Sequence, residues 1–450
     1  MKLMKLQILL IAVLILVFYG CKPKIDIPES NLGEVNTSNY IAIGTDGTAG
    51  FADDALYQDG QNYSYANILS EQFNTISESA FKQPLLSDGG STGINLDGNS
   101  QLILGYKTDC NDESSLSPVR YATSGNINEL NTCVYAPQGP FNNLGVPGLS
   151  VLDMNTTGLG NPANGAGNYN PFFFRMVSDP VNASILSDAL SGNPTFYSIL
   201  LGDQDIMAYA SSGGTSNPIP PSNGAAGFGF DGSLNEVVTA MSGTGAKGVI
   251  GNIANVLQYP FFTAIPYNGL TLNAENAETM NLVYNPLGIF FNEGDNPFTI
   301  DDPNEPFGVR KMVEGELILL SIPLDSVKCY GMGSISPIPD KYVLTLEEIQ
   351  EIKLKTEEYN AVITTLVQTY NLAHANVNTL INNLNSGIVY NGITMNTNYI
   401  TGGAFSLDGK NLNPIGQAML ANVFIESINA TFNAAIPFAD VTKFPGVKFP

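Results

Sequence analysis

Short apolar runs that stop at polar, glycine-rich turns alternate along this chain with longer stretches whose apolar residues recur every three to four positions. Residues 40–44, Tyr-Ile-Ala-Ile-Gly, are such a run and end in a Gly/Thr/Asp turn, which predicts a buried strand feeding a loop. Helical spacing follows at Tyr65, Ile68, Leu69 and Phe73. Further strands are predicted at 195–201, running into Gly202-Asp203-Gln204-Asp205, and at 247–253, after a helical segment near 234–241. Residues 346–373 carry Leu346, Ile349, Ile352, Tyr359, Val362, Leu366 and Tyr370, a long amphipathic helix. A strand is predicted next at 377–381, and a last helix at 414–432 with Pro414 at its start. Strands alternating with helices imply an α/β fold with a mainly parallel sheet and ligands beyond the carboxyl ends of its strands. Between these elements lie Gly/Pro/Asn-rich stretches at 85–170, 211–232 and 267–312, too long for plain connections and read as inserted loops around the open end of the sheet.

The amino terminus follows a different pattern. Residues 1–20 place Lys2 and Lys5 before an uninterrupted apolar run and end on Gly20, immediately before Cys21. This is the layout of a signal peptide, and Gly20-Cys21 resembles a bacterial lipobox whose cysteine becomes the lipidated first residue. An uncleaved anchor and an ordinary secretory peptide are the alternatives. The lipoprotein reading implies export and an outer-membrane location, on the periplasmic or the cell-surface face, with residues 21–38 as a tether. In an exported protein Cys110 and Cys133, in one Ser/Asn/Gly-rich stretch, form the disulfide candidate, with Cys329 left over. Three thiols without histidine neighbours make a poor zinc set, so neither a metal nor a cofactor is expected.

Composition narrows the function classes. With 18 Lys+Arg against 41 Asp+Glu, the formal net charge of −23 leaves no basic face for phosphate, and nucleic acid is excluded as a partner. A chain that is 44% hydrophobic and 13% charged builds a sizeable core, which argues against disorder. One histidine, His374, limits every imidazole mechanism to that residue.

Several spaced blocks resemble the SGNH/GDSL hydrolases, in particular their large lipoprotein members from Bacteroidetes-type bacteria. Ile43-Gly44-Thr45-Asp46-Gly47-Thr48-Ala49-Gly50 is similar to the family's nucleophile block, Asn143 to Gly148 to its second block, Gly202 to Asp205 to its third, and Asp408-Gly409-Lys410-Asn411 to its Asp-x-x-His block. Segments 245–253 and 321–329 add to the likeness. The resemblance covers nearly all of residues 39–434 and implies a three-layer α/β/α sandwich, flavodoxin-like in plan, as one domain over 39–436 with a C-terminal tail at 437–450. It implies Gly145 as an oxyanion donor and Asp408 as the acid of a triad. Three positions depart from the family: Asp46 stands for the serine, Gln204 for the oxyanion-hole asparagine and Asn411 for the histidine.

These departures bear directly on the chemistry. A serine needs an imidazole to take its proton and return it to the leaving group, and Asn411 does neither near neutral pH. A carboxylate at position 46 also sets negative charge where an oxyanion must develop. The expectation is a degenerate hydrolase that binds a lipid, acyl or glycan ligand, or an outer-membrane protein partner, with a weak or remodelled esterase as the alternative. His374, at the end of the long helix, is expected at the amino end of the following strand, away from the functional face, and Thr48 lacks a base. Asp46, Asp203, Asp205 and Asp408 could converge on a cation; the blander reading has Asp205 and Asp408 holding loop amides and Asp203 facing solvent. A glycosidase pairing of Asp46 with Asp408 ranks last. The aromatic stretches at 171–174 and 259–262 are read as loop packing, and secondarily as an acyl-binding rim.

Overall fold

The computed structural model describes residues 29–87, 92–216 and 218–448. The predicted signal peptide, Cys21 and the first part of the tether lie outside the described residues. Five strands form the central sheet: β1 (Tyr40–Gly44), β2 (Asn143–Gly145), β3 (Phe196–Leu200), β4 (Lys247–Gly251) and β5 (Ala373–Ala375). Their order is β5-β4-β3-β1-β2, and every pairing is parallel. The helices that pack against them are α1 (Asp46–Ala49), α2 (Tyr65–Asn74), α3 (Ile185–Ser191), α4 (Asp203–Ser211), α5 (Phe230–Gly243), α6 (Leu346–Tyr370), α7 (Val377–Ser386) and α8 (Pro414–Phe432).

Alternation along the strands divides the core. Ile41, Ile43, Tyr197, Ile199 and Ile250 pack with residues of α3, α4, α5 and α6 in one hydrophobic cluster. Tyr40, Ala42, Phe196, Val249, Ala373 and Ala375 pack with α2, α7 and α8 in another. Side chains of successive strand residues point to opposite faces, so runs apolar at every position are buried on both sides. The fold is therefore mixed α/β around an all-parallel sheet.

Local signals set the helix ends. The Ser64 hydroxyl accepts from the Asn67 N–H at the start of α2, and Thr345 forms a capping box with Glu348 at the start of α6. Helix α6 ends at Asn371, which adopts φ +53°, and the chain turns into β5. The predicted strand at 377–381 is instead the first half of α7. Val377, Leu380, Ile381 and Leu384 bury one face at helical spacing, and the Asn376 side chain caps the first turn by accepting from the Thr379 N–H. The strand lies four residues earlier, and His374 is in it.

Three more expectations are corrected. The stretch 85–170 is no mere inserted loop, because it contains β2, the edge strand beside β1. Residues 29–38 do not hang free as a tether. Asn31 bridges to Ala435, the Glu34 N–H donates to the Phe432 carbonyl at 2.9 Å, and Val35 is buried. The disulfide joins Cys110 to Cys329, not to Cys133. It ties the turn of a hairpin (strands Leu102–Thr108 and Ser114–Arg120) to the helix Leu324–Cys329. Ion pairs Lys107–Asp325 at 3.0 Å and Lys328–Asp109 at 3.1 Å flank the bridge. The Cys133 thiol instead lies 3.8 Å from the Val177 carbonyl.

Candidate functional site

From β1 the chain leaves through α1 towards α2 on one face of the sheet, and from β3 it turns directly into α4 on the other. Between the carboxyl ends of these neighbouring strands such divergence opens a crevice. Gly202 makes the second turn at φ +99°, and a Cβ there would lie 2.5 Å from the Phe230 ring. A cavity of about 110 Å³ occupies the crevice. Its polar lining is Asp46, Asp203, Gln204, Ser211, Asn252, Lys410, Asn411 and Gln417, and its apolar walls include Leu200, Val256, Tyr259, Val377, Ile381 and Leu420.

Two carboxyls dominate its electrostatics. Asp46 begins α1, and its Oδ1 accepts the Gly148 N–H at 2.9 Å. Burial raises its pKa to about 6, with Asp408 and Asp54 adding repulsion, while the Gly148 bond and the Lys410 ammonium act against the rise. Asp203, expected to face solvent, lines the cavity and accepts the Thr45 hydroxyl at 3.0 Å. Burial, then the neighbouring Asp46, pushes it up to about 7. Both carboxyls consequently change charge close to neutral pH.

Asp408 and Asn411 are linked as the sequence blocks lead one to expect. The Asn411 side-chain amide donates to Asp408 Oδ2 at 3.0 Å. The same Oδ2 takes the Asp54 N–H at 3.0 Å, and Oδ1 takes the N–H groups of Lys410 and Asn411 at 2.7 and 2.8 Å. Four donors hold Asp408 in its own loop, outside the cavity lining. The grip on that loop comes from Asp53 and Asp54, consecutive residues at φ +52° and +57°. The Asp53 N–H donates to the Ser406 hydroxyl at 3.0 Å, and its carboxylate accepts the Leu407 N–H at 2.8 Å.

Gly145 has a different role from the expected one. Its N–H already donates to Asn143 Oδ1 at 2.9 Å, so it is not offered to the cavity. The position requires glycine because a Cβ would lie 2.3 Å from the Ala49 nitrogen. The donor at Asp46 is Gly148, three residues further on. Asp205 holds the Ser150 hydroxyl and the Val151 N–H. With Asp205 and Asp408 held by their loops, the four aspartates do not converge. Among the described residues no group of three or more His, Cys, Asp or Glu side chains is arranged to hold a metal ion.

His374 does not line the cavity. It pairs in register with Ile250 on the edge strand, and its Nε2 is buried without a hydrogen-bond partner among the described residues. Burial lowers its pKa. Thr48 is buried, 3.2 Å from the Tyr65 hydroxyl. Phe172, Phe173, Phe261 and Phe262 are core residues, and of the two aromatic stretches Tyr259 alone lines the cavity. The structure thus brings Asp46, Gln204 and Asn411 to one cavity with Asp408 behind them. Sequence reasoning missed Asn252, Gln417 and the supporting Asp53 and Asp54. An Asp-Asp pair just after the first strand turn was the available signal for the last two.

The chain matches no protein-family model, and comparison with curated proteins and with solved structures finds no significant similarity. Among the described residues no helix is long and apolar enough to cross a membrane.

Proposed function

We propose that this chain is an exported lipoprotein of the SGNH/GDSL hydrolase type, held at the outer membrane by a lipid on Cys21, whose site binds a ligand instead of hydrolysing an ester. On this reading the parallel sheet is the middle of a three-layer α/β/α sandwich, and the long loops are elaborations over 39–436. Hydrophobic clusters that join opposite strand faces to different helices support that arrangement. Its ligand is a lipid, a glycan or a partner protein of the same membrane.

The observation that carries the loss of catalysis is the pairing of a cavity-lining Asp46 with an Asn411 amide bonded to Asp408. That amide occupies the orienting bond an imidazole would make, yet it shuttles no proton. Removing one triad member costs on the order of 10⁴ in kcat in serine hydrolases. Hydrolysis of p-nitrophenyl acetate and butyrate by the full chain is expected at background. The combined Asp46→Ser, Gln204→Asn and Asn411→His variant is expected to gain turnover. Wild-type turnover abolished by Asp46→Ala refutes the reading.

One observation favours a second reading, a remodelled hydrolase. Asp46 and Asp203 carry pKa values of about 6 and about 7, the range suited to general acid–base work. Activity on esters or glycosides that requires both carboxyls would establish it.

A further inference from the structure

We infer that the ligand of this cavity is a neutral, hydroxyl-rich group the size of one sugar ring, and not an acyl chain, an amine or an anion; the inference rests on the ligand-binding reading above. Two polar side chains in the lining are more than nine-tenths buried and only half-used. Gln417, 3% exposed, accepts the Tyr65 N–H through Oε1 at 3.0 Å, which leaves its Nε2 without a partner among the described residues. Asn411, 9% exposed, donates Nδ2 to Asp408, which leaves its Oδ1 likewise unpartnered. One offers a donor and the other an acceptor to the same space, alongside the carboxyls of Asp46 and Asp203.

Each ligand class meets this lining differently. An acyl chain pairs with none of these groups and would bury them dry, which is costly for amides and worse for carboxylates. A carboxylate or phosphate would meet the single Lys410 ammonium against the two carboxyls of Asp46 and Asp203, so ionised carboxyls repel it on balance. An amine only donates and would leave Gln417 Nε2 unmet. A hydroxyl both donates and accepts, so one hydroxyl satisfies Nε2 and gives its proton to Asn411 Oδ1 or to a carboxylate. The apolar walls at Leu200, Val377 and Leu420 suit the C–H faces of a ring, and about 110 Å³ suits a single ring better than an extended chain.

The test is calorimetric titration of the full chain with D-glucose, D-galactose, D-mannose and N-acetylglucosamine, and with decanoate and butylamine in parallel, together with p-nitrophenyl acetate turnover. Saturable binding of at least one sugar is expected. Gln417→Glu, measured above about pH 9 so that the buried carboxyl is ionised, keeps the acceptor for Tyr65 and removes the free donor, and should weaken that binding about tenfold relative to wild type at the same pH, with folding checked by unchanged circular dichroism. Sugar binding undiminished in Gln417→Glu overturns the inference. Binding of decanoate or butylamine without any sugar overturns it while leaving the ligand-binding reading intact. No binding together with Asp46-dependent turnover overturns both, and no binding without turnover overturns the inference.

Discussion

Replacing Asp46 by asparagine should stabilise this protein, and only above acidic pH. The side chain keeps an oxygen for the Gly148 N–H, 2.9 Å away in the native site, while losing a charge that the cavity disfavours. A carboxyl whose pKa moves from 3.8 to about 6 on folding holds its proton more tightly in the native state. Stability is therefore lost as pH rises from about 4 through the folded value near 6, and the full penalty applies above it. At about 1.36 kcal/mol per pH unit that penalty is about 3 kcal/mol, an upper bound because Asp46 is partly exposed to the cavity. A chain of this length changes melting temperature by about 1 °C per kcal/mol. Thermal melts by circular dichroism should show Asp46→Asn unchanged near pH 3.5 and about 2–3 °C above wild type at pH 8. Asp203, pushed up to about 7 partly by Asp46, should titrate lower in the variant. A variant less stable than wild type at pH 8, or one with the same gain at both pH values, would refute the assignment of a buried, charge-disfavouring site.

Two further perturbations separate packing from chemistry. Gly145→Ala should cost about 2–4 kcal/mol in chemical denaturation, because its Cβ meets backbone atoms of Thr48 and Ala49 at 2.6 and 2.3 Å; a neutral effect would show that β2 and α1 are not in such close approach. Cys329→Ser opens a crosslink spanning 219 residues and should lower stability by up to about 5 kcal/mol, whereas Cys133→Ser should change it by less than about 0.5 kcal/mol. Non-reducing peptide mapping that links Cys110 to Cys133 would refute the pairing.

The elements most legible in the sequence are those with an uninterrupted signal. Tyr40–Gly44 and Pro414–Phe432 have the bounds their apolar runs and proline predict, and α2 begins immediately after Ser64. The region around 371–386 departs from expectation because Ala373-His374-Ala375 carries almost no strand signal of its own. It is a strand because β4 offers an unpaired edge and both alanines fit beneath α8. Asn143–Gly145 is likewise too short and polar to announce a strand, and becomes one by pairing with β1.

The candidate site divides in the same way. The resemblance of short sequence blocks to the SGNH/GDSL hydrolases brought Asp46, Gln204, Asp408 and Asn411 under consideration; Asp46 and Gln204 lie in the first turns of helices that directly follow strands, and Asp408 and Asn411 in the loop before α8. By itself the chain determined an α/β alternation, a strongly acidic composition, and the absence of any histidine at these positions. Tertiary structure alone decided that Gly145 lends packing and no donor, that Cys329 claims Cys110, that Asp203 is enclosed, and that Gln417, from a helix more than two hundred residues away, completes the cavity. Charge and hydrogen-bonding capacity are properties of residues and can be read along the chain. Burial, and the question of which donors remain free once the backbone has taken its share, depend on neighbours distant in sequence, and here they decide what the cavity can hold.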